Sequence, residues 1–327
     1  MLPFHHAVAQ DFELVNACII RQLYSDVDLV ENIGHYLIEA GGKRLRPLLV
    51  LLVAKTLGFE GDSGAESGGR HIDLATIIEF IHTATLLHDD VVDVSSLRRG
   101  RLTANAQWGN APAVLVGDFL YSRAFQMLVA LGSMEIMGIL ASTTNIISEG
   151  EVQQLVNAKN PDVTEENYQR VIHKKTAALF EAACEAAAVL AAATPEVRRA
   201  AHLFGQHLGM AFQLVDDALD YSGDAEALGK NLGDDLAEGK PTLPLIHAMR
   251  EGTEDERNLI RKAIEAGSGE QMEEILAIIQ RTGALTYTQA RAQHHADCAL
   301  QLLEQLPSNP YAQALADLTR FSVARNY

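Results

Sequence analysis

A helical pattern that runs through nearly the whole chain most limits the folds open to this sequence. Apolar side chains recur at helical spacing through four long segments: residues 72–93, 113–131, 135–156 and 165–193. No stretch shows the sustained alternation of β-branched and polar residues that is typical of a strand. The sequence therefore predicts an all-α fold.

Local signals place two helix starts and two loops. Thr164 precedes two glutamates, which is typical of an N-cap residue followed by acids in the first turn. Pro195 fits the first turn of a further helix, which we expect to run to about residue 221. The glycine-rich segment 58–70 and the polar segment 222–240 are predicted to be surface loops.

Length and composition favour one large unit. The chain has 327 residues, of which 48% are hydrophobic, enough for a packed core. Neither predicted loop has the length of an interdomain linker. We expect residues 1–327 to form a single all-α domain; the alternative is a small second helical domain after about Gly252.

Net charge and cysteine spacing exclude several classes of protein. Lys and Arg number 26 and Asp and Glu 43, so the formal net charge of −17 argues against a nucleic-acid-binding surface and a basic membrane-binding face. Three well-separated cysteines indicate neither a zinc site nor a disulfide framework, so we expect a cytoplasmic location. No signal peptide is visible, and the most apolar run, residues 47–54, is too short to span a bilayer. We expect no transmembrane segment.

The pattern DDxxD occurs twice, each time at the end of an apolar helical segment. Like charges four residues apart repel, and the C-terminal end of a helix disfavours anions, so helix stability does not explain the pattern. Carboxylates without histidine or cysteine suit a hard cation, and we predict that both motifs bind Mg²⁺. The six carboxylates are Asp89, Asp90, Asp93, Asp216, Asp217 and Asp220.

Four short basic clusters stand out against the acidic background. Each alone fits a solvated surface, but two of them follow an acidic motif directly, as expected where an anionic substrate binds beside a metal ion. No Walker-type glycine loop is present, so ATP-dependent phosphoryl transfer has no support. The clusters are Lys43-Arg44-Leu45-Arg46, Arg98-Arg99-Gly100-Arg101, Lys174-Lys175, and the pair Lys230 and Lys240.

Five ordered motifs resemble one known family. GGKRLRP, HTATLLHDDVVDVSSLRRG, KTA, FQLVDDALD and GKNLGDDLAEGKPTLPL, in this order and spacing, resemble the trans-prenyl diphosphate synthases from about residue 20 to 320. The resemblance implies a helical bundle around a deep central cavity, usually a homodimer. It also implies Mg²⁺-dependent head-to-tail condensation of isopentenyl diphosphate with an allylic diphosphate, here farnesyl diphosphate, to make a quinone side-chain precursor.

The resemblance also implies a role for each matched residue. The main metal ligands would be Asp89, Asp93 and Asp216, with Asp90, Asp217 and Asp220 in support. The cations that hold the allylic diphosphate would be Arg98, Lys175, Lys230 and Lys240. The isopentenyl diphosphate pocket would comprise Lys43, Arg46, His82 and Arg99. The allylic chain and the developing cation would be flanked by Thr176 and Gln213.

Two small residues before the first motif bear on product length. Short-chain members of the family carry a bulky aromatic at one or both of the positions that Ala84 and Thr85 occupy here. We therefore expect a long-chain product, of seven to ten isoprene units. Two alternatives remain for the residues at the floor of the tunnel. They either close the tunnel or are ordinary core residues: Phe125, Met127 and Met134.

Three other functions compete with a prenyl synthase. Class I terpene cyclases also use DDxxD, but they would leave the GGKRLRP motif unexplained. A metal-dependent hydrolase would draw on His71, His82 and His88, yet His82 and His88 lie on different faces of a helix. A catalytically silent subunit would have no need of the intact acidic motifs.

Overall fold

The computed structural model describes residues 3–39, 41–61, 68–98, 100–222 and 232–325 of the protein. Two predicted site residues, Arg99 and Lys230, lie outside these ranges, as do parts of both predicted loops.

The predicted all-α fold is confirmed, because helices make up nearly all the regular structure of the described ranges. The only strands there form one short antiparallel hairpin, with Leu97 opposite Leu102 and Arg98 opposite Arg101. In chain order the elements are α1 (Pro3–His6), α2 (Ala9–Gln22), α3 (Asp28–Glu39), α4 (Leu45–Thr56), α5 (Arg70–Val92), β1 (Leu97–Arg98), β2 (Arg101–Leu102), α6 (Ala104–Trp108), α7 (Asn110–Leu131), α8 (Met134–Asn157), α9 (Glu165–Ile172), a π-helical turn (His173–Ala177), α10 (Ala178–Leu190), α11 (Pro195–Ser222), α12 (Asp234–Ala237), α13 (Leu243–Glu251), α14 (Glu254–Ala266), α15 (Met272–Arg281), α16 (Ala284–Leu303) and α17 (Pro310–Ala324).

One predicted helix is interrupted. The segment 165–193 contains α9, the π-helical turn and α10 rather than one continuous α-helix. The Thr164 cap is confirmed, since its hydroxyl accepts a hydrogen bond from the backbone nitrogen of Asn167 at 3.2 Å. A π turn bonds each carbonyl to the amide five residues on and so inserts one extra residue into the helix.

A glycine of α8 lies directly against this π turn. A Cβ atom added to Gly150 would meet the Cβ of Lys174 at 2.8 Å and the backbone nitrogen of Lys175 at 2.9 Å. Only glycine allows so close an approach without a shift of the turn. The contact therefore holds in place the segment that carries Lys175 and Thr176.

Contacts between Cα atoms divide the chain into two compact units. The first comprises Met1–Thr144, Leu179–Gly205 and Gln301–Leu318, and the second comprises Asn145–Ala178, Gln206–Leu300 and Thr319–Tyr327. The first unit carries the first acidic motif and the second unit carries the second. A single-domain organisation stays a prediction.

Helix α5 is the centre of the first unit. It packs against α2, α4 and α7, and Ile77, Ile78 and Leu87 on its length are fully buried. The neighbouring helix α4 is fully buried at every position from Leu48 to Ala54. A helix that is apolar all round is stable only when other elements cover it on all sides. This packing fixes the helix that ends in the first acidic motif.

The second unit has two apolar clusters. One joins α13, α14 and α15 through Leu245, Ile260 and Ile275. The other includes Tyr168 of α9 and Leu214 of α11. The second cluster lies one turn before the second acidic motif and fixes the orientation of α11 there.

Among the described residues, helix α7 alone is long and apolar enough to cross a membrane. Its most apolar window has a mean hydropathy of 1.4, and 39% of that window is buried. Core helices pass the same test of length and composition, and α7 packs along α5 through buried residues such as Val116, Leu120 and Leu128. This helix, rather than residues 47–54, is the segment that length and composition alone would select as a candidate membrane span.

Candidate active site

The first acidic motif ends α5 with its middle carboxylate buried. Asp90 is 3% exposed, whereas Asp89 and Asp93 are partly exposed. Asp93 directly follows the last residue of α5 and lies one turn beyond Asp89, so the two carboxylates share one side of the helix. Asp89 and Asp93 are thus more exposed to a ligand than Asp90.

An arginine of the hairpin neutralises Asp90. Oδ1 of Asp90 accepts hydrogen bonds from Nε and Nη2 of Arg98 at 2.9 and 2.7 Å. Nδ2 of Asn105 donates to the backbone oxygens of Asp90 and Ser95 at 3.1 and 3.0 Å. These bonds tie the hairpin and α6 to the end of α5. Arg98, which the sequence assigns to the allylic diphosphate, therefore also supports the first motif.

Two residues predicted for the isopentenyl diphosphate pocket are in contact. Nη1 of Arg46 lies 3.1 Å from Nε2 of His82, and the guanidinium lies 4.5 Å from the centre of the Phe180 ring. A guanidinium can only donate, so Nε2 of His82 accepts and the ring proton is assigned to Nδ1. Lys43 is half-buried, and its backbone oxygen lies 3.4 Å from Nε2 of His5.

The positions predicted to govern product length lie on α5. Ala84 is fully buried, and the hydroxyl of Thr85 donates to the backbone oxygen of His82 at 2.8 Å. Of the candidate floor residues, Met127 is buried, whereas Met134 is 82% exposed and is not part of the core of the first unit. Phe125 stacks near Tyr121 with ring centres 5.2 Å apart.

A cleft of about 860 Å³, including its open mouth, lies along α5. It is lined there by Phe80, Thr83 and Leu87, with Arg44 and Arg101 among its polar residues. Its lining also includes His82, Asp90 and Arg98, so the cleft reaches three of the predicted site residues, whereas neither Ala84 nor Asp89 lines it.

The second acidic motif lies in the last turns of α11, and its outer carboxylates have partners. Oδ1 of Asp216 is 2.7 Å from Nη1 of Arg325, with 40% of the aspartate side chain exposed. Oδ2 of Asp220 accepts a hydrogen bond from the backbone nitrogen of Asp235 at 3.2 Å. The first carboxylate of this motif is therefore already paired with a cation.

The middle carboxylate of the second motif is buried among neutral donors. Asp217 is 2% exposed; its Oδ2 accepts a short hydrogen bond from the hydroxyl of Tyr168, and its Oδ1 accepts from Nε2 of Gln213 at 2.7 Å. Burial, with the carboxylates of Asp235 and Asp216 nearby, raises the pKa of Asp217 to about 8.

This hydrogen-bond chain continues to the π turn. The hydroxyl of Thr176 donates to Oε1 of Gln213 at 2.7 Å, which orients the amide so that its nitrogen faces Asp217. Thr176, Gln213 and Asp217, all selected from the sequence, thus form one connected chain in the second unit. The chain fixes which end of the Gln213 amide is available beside Thr176.

The predicted lysines of the second unit pair with glutamates. Nζ of Lys175 lies 2.7 Å from Oε2 of Glu151, and Lys240 pairs with Glu238. Nζ of Lys174, which precedes Lys175 in the sequence, lies 2.8 Å from Oε2 of Glu149. A bound diphosphate would compete with these glutamates for the ammonium groups or share them, since each ammonium has three N–H donors.

Comparison with known proteins identifies the family. A family model described as polyprenyl synthetase matches residues 27–281. Over 319 residues the chain is 51% identical to octaprenyl diphosphate synthase of Escherichia coli (strain K12), covering 97% of each chain. It is 50% identical over 319 residues to the all-trans-nonaprenyl-diphosphate synthase (geranyl-diphosphate specific) of Rhodobacter capsulatus, covering 97% of this chain and 96% of that one.

The fold agrees with these relatives. A polyprenyl synthase from Caulobacter crescentus CB15, complexed with calcium and isoprenyl diphosphate, matches with a TM-score of 0.93 at 42% identity, covering 99% of this chain and 97% of the other. The chain belongs to the polyprenyl synthetase family. It is therefore a prenyltransferase that elongates a trans-prenyl chain, with an allylic diphosphate and isopentenyl diphosphate as substrates. Membership of this family rules out the terpene cyclase and hydrolase hypotheses.

Polyprenyl synthetases act with divalent metal ions, and the residues here fit one. Among the described residues, no three His, Cys, Asp or Glu side chains converge to hold a metal by themselves. Mg²⁺ commonly takes one or two carboxylates and completes its shell with water and substrate phosphates, so no such cluster is required. The Asp216 carboxylate already attracts a cation, Arg325, and the pKa of Asp217 is raised first by burial and then by the nearby carboxylates of Asp235 and Asp216. Both observations fit a site that a divalent ion would stabilise.

Two residues that contact the second acidic motif were not predicted from the sequence. Tyr168 and Arg325 contact Asp217 and Asp216, yet each is far from the motif along the chain. Tyrosine in an amphipathic helix and arginine after a helix are common, so neither carries a local signal. Only the fold brings them to the motif.

Proposed function

We propose that this polyprenyl synthetase is an octaprenyl diphosphate synthase that starts from farnesyl diphosphate and supplies a quinone side-chain precursor. The observation that carries the proposal is the 51% identity to the Escherichia coli octaprenyl enzyme over 97% of both chains. The small, buried Ala84 and the small Thr85 support a long product, since neither would block a growing chain.

The metal is proposed to be Mg²⁺, with several ions bound together with the diphosphate. Asp89 and Asp93 would be the main ligands in the first unit, and Asp216, with Asp220 in support, the main ligand in the second. Asp90 and Asp217 would support the neighbouring ligand aspartates without binding the metal directly, since both are buried and hydrogen-bonded. When bound, Mg²⁺ supplies positive charge that stabilises the departing diphosphate. The aspartates orient that charge through carboxylate oxygens, which are the ligands Mg²⁺ prefers.

The basic residues are proposed to bind the two diphosphates. Lys175 and Lys240, with Lys230 and Arg98, would hold the allylic diphosphate and stabilise the charge that grows as its carbon–oxygen bond breaks. Lys43, Arg46, His82 and Arg99 would hold isopentenyl diphosphate.

The allylic carbon is proposed to react beside Thr176 and Gln213. Oε1 of Gln213 carries partial negative charge and would stabilise the developing carbocation, with the Thr176 hydroxyl holding the amide in place. The double bond of isopentenyl diphosphate then attacks this carbon. The proton lost afterwards would pass to the released diphosphate, so no side chain is needed as base.

A product of nine or ten units is the second candidate. The specific observation in its favour is 50% identity to the Rhodobacter capsulatus nonaprenyl enzyme, almost as high as to the octaprenyl enzyme. Product length therefore needs a direct measurement.

One assay tests both the reaction and the product. The protein is incubated with farnesyl diphosphate, labelled isopentenyl diphosphate and Mg²⁺, and the dephosphorylated products are separated by reversed-phase chromatography against polyprenol standards. Octaprenol is expected, with no incorporation in the presence of EDTA. Absence of incorporation with Mg²⁺ would contradict the proposal, and nonaprenol or decaprenol would replace the octaprenyl assignment.

We also propose a cytoplasmic homodimer. The three cysteines are free, which fits a reducing compartment. Leu115 and Val129 on α7 are 66% and 70% exposed, an apolar surface that a second copy would cover. Light scattering of a Leu115→Glu, Val129→Glu variant should report monomer, whereas Val27→Glu, at another exposed apolar site, should leave the dimer intact. A monomeric wild type would contradict this assignment.

A further inference from the structure

Arg325 holds the second acidic motif with all parts of its guanidinium group. Nη1 lies 2.7 Å from Oδ1 of Asp216, Nη2 donates to the backbone oxygen of Phe212 at 2.7 Å, and Nε donates to the backbone oxygen of Ser322 at 3.1 Å. The guanidinium also lies 3.8 Å from the centre of the Phe212 ring. The side chain is only 6% exposed, so this is a built contact and not a loose surface pair.

The same carboxylate is the main metal ligand proposed for this motif. A guanidinium and a divalent cation on one carboxylate repel each other strongly at the few ångströms that separate them, particularly where the site is partly buried. A metal ion at Asp216 and the observed Arg325 contact therefore disfavour each other.

The helix that precedes Arg325 is anchored independently of this contact. Thr319 and Ser322 on α17 are buried, and Val323 packs against the cluster around Tyr168 and Leu214. Displacement of the guanidinium from Asp216 and from Phe212 would therefore loosen the arginine and the backbone next to it, while the rest of the helix stays packed.

We infer that Arg325 is a positioning residue that serves as the built-in counter-ion of Asp216 in the metal-free enzyme and is displaced when a divalent ion binds the second motif. The inference rests on the proposed metal role of Asp216. Because coupling between two binding events is reciprocal, metal binding loosens Arg325, and removal of Arg325 tightens metal binding.

The affinity test uses Mn²⁺ as a paramagnetic substitute for Mg²⁺, without substrate. Free Mn²⁺ is counted by electron paramagnetic resonance in the full chain, with Asp89→Asn present throughout to weaken the first motif. Arg325→Gln should bind Mn²⁺ about fivefold or more tightly than its parent. Arg320→Gln makes the same charge change at an exposed position of α17 and should leave the affinity unchanged.

Equal or weaker Mn²⁺ affinity in Arg325→Gln would overturn the inference, as would absence of binding in both proteins. Arg325→Lys keeps the charge but cannot make all the contacts of the guanidinium, and an affinity between the other two is expected. This variant also guards against a folding defect in Arg325→Gln.

A second measurement needs no substitution. In the wild-type protein, amide hydrogen exchange at residues 322–325 should speed up severalfold when Mn²⁺ is added, while exchange at residues 311–319 stays constant. Unchanged exchange at 322–325 with Mn²⁺ bound would overturn the inference. Neither measurement requires turnover, so its failure is distinguishable from failure of the proposed synthase activity, which the incorporation assay alone decides.

Discussion

The two acidic motifs share the pattern DDxxD but satisfy their buried middle carboxylate by different means. In the first unit, Asp90 is neutralised by a cation, Arg98. In the second unit, Asp217 is surrounded by the neutral donors Tyr168 and Gln213, and its pKa is raised to about 8. A buried carboxylate at the middle position can thus be stabilised either by a cation or by neutral hydrogen-bond donors.

The motifs also differ in how their helices end. Helix α5 ends at Val92, so Asp93 lies just outside it, and Val94 then adopts the left-handed conformation with φ of 53°. Helix α11 continues to Ser222, beyond the last aspartate of its motif. The outer carboxylates are therefore presented by a helix terminus in one unit and by a continuous helix in the other.

The largest expected effect tests whether the outer carboxylates are equivalent despite this difference. Asp89→Asn and Asp216→Asn should each lower kcat by about a thousandfold, because each removes a proposed metal ligand at a site of developing charge. Initial rates of isopentenyl diphosphate incorporation measure the loss. Asp297→Asn, at an exposed position of α16, should retain full activity. More than a tenth of wild-type activity in either variant would show that Asp89 and Asp216 do not contribute equally to catalysis.

The next prediction contrasts the residues that precede the motifs. Four residues before the motif, α5 carries the small Thr85, preceded by Ala84, whereas α11 carries Phe212. Ala84→Phe should shorten the main product by several isoprene units and cost about 1–3 kcal/mol of stability, because the site is fully buried. Chromatography of the dephosphorylated products measures the length. Ala84→Val, a smaller increase, should shift the product less, and full-length product from Ala84→Phe would remove Ala84 from the tunnel.

The positions of both acidic motifs and of most long helices could be predicted from the sequence. Apolar spacing located α5, α7 and α8 to within a few residues, and Pro195 marked the start of α11. The π turn was missed because apolar spacing does not distinguish it from α-helix, and the close approach of Gly150 to it is a tertiary contact. The aspartates themselves were selected by pattern, whereas Tyr168 and Arg325 reach them only through tertiary packing.

A smaller effect should separate the two middle carboxylates. Asp90→Asn removes the charged partner of Arg98, whose side chain is 32% exposed, and should cost about 2 kcal/mol. Asp217→Asn replaces a carboxyl group of raised pKa with a neutral amide, and the Tyr168 hydroxyl can turn to accept from the new NH₂ group, so the change should cost less than about 1 kcal/mol near pH 7.

Urea unfolding of both variants checks the order of the two costs. Arg98→Gln in the Asp90→Asn background should recover part of the stability, because it removes the unpaired guanidinium. A larger cost for Asp217→Asn than for Asp90→Asn would reverse the comparison and make the second network the more strongly charged one.

The smallest expected effect concerns the residue that ends α5. Val94 is β-branched, 82% exposed and held at φ of 53°, a conformation that costs an L residue about 1–2 kcal/mol and glycine almost nothing. Val94→Gly should therefore stabilise the protein by roughly 0.5–1 kcal/mol after the greater chain entropy of glycine is counted. Val92→Gly, two residues earlier inside the helix, should instead destabilise it by a few tenths of a kcal/mol. Thermal unfolding without metal distinguishes the two. Stabilisation of Val94→Gly with unchanged kcat would show that the strained turn is a cost of ending the helix, whereas a loss of kcat would show that this turn positions Asp93, a device that the continuous helix α11 does not need.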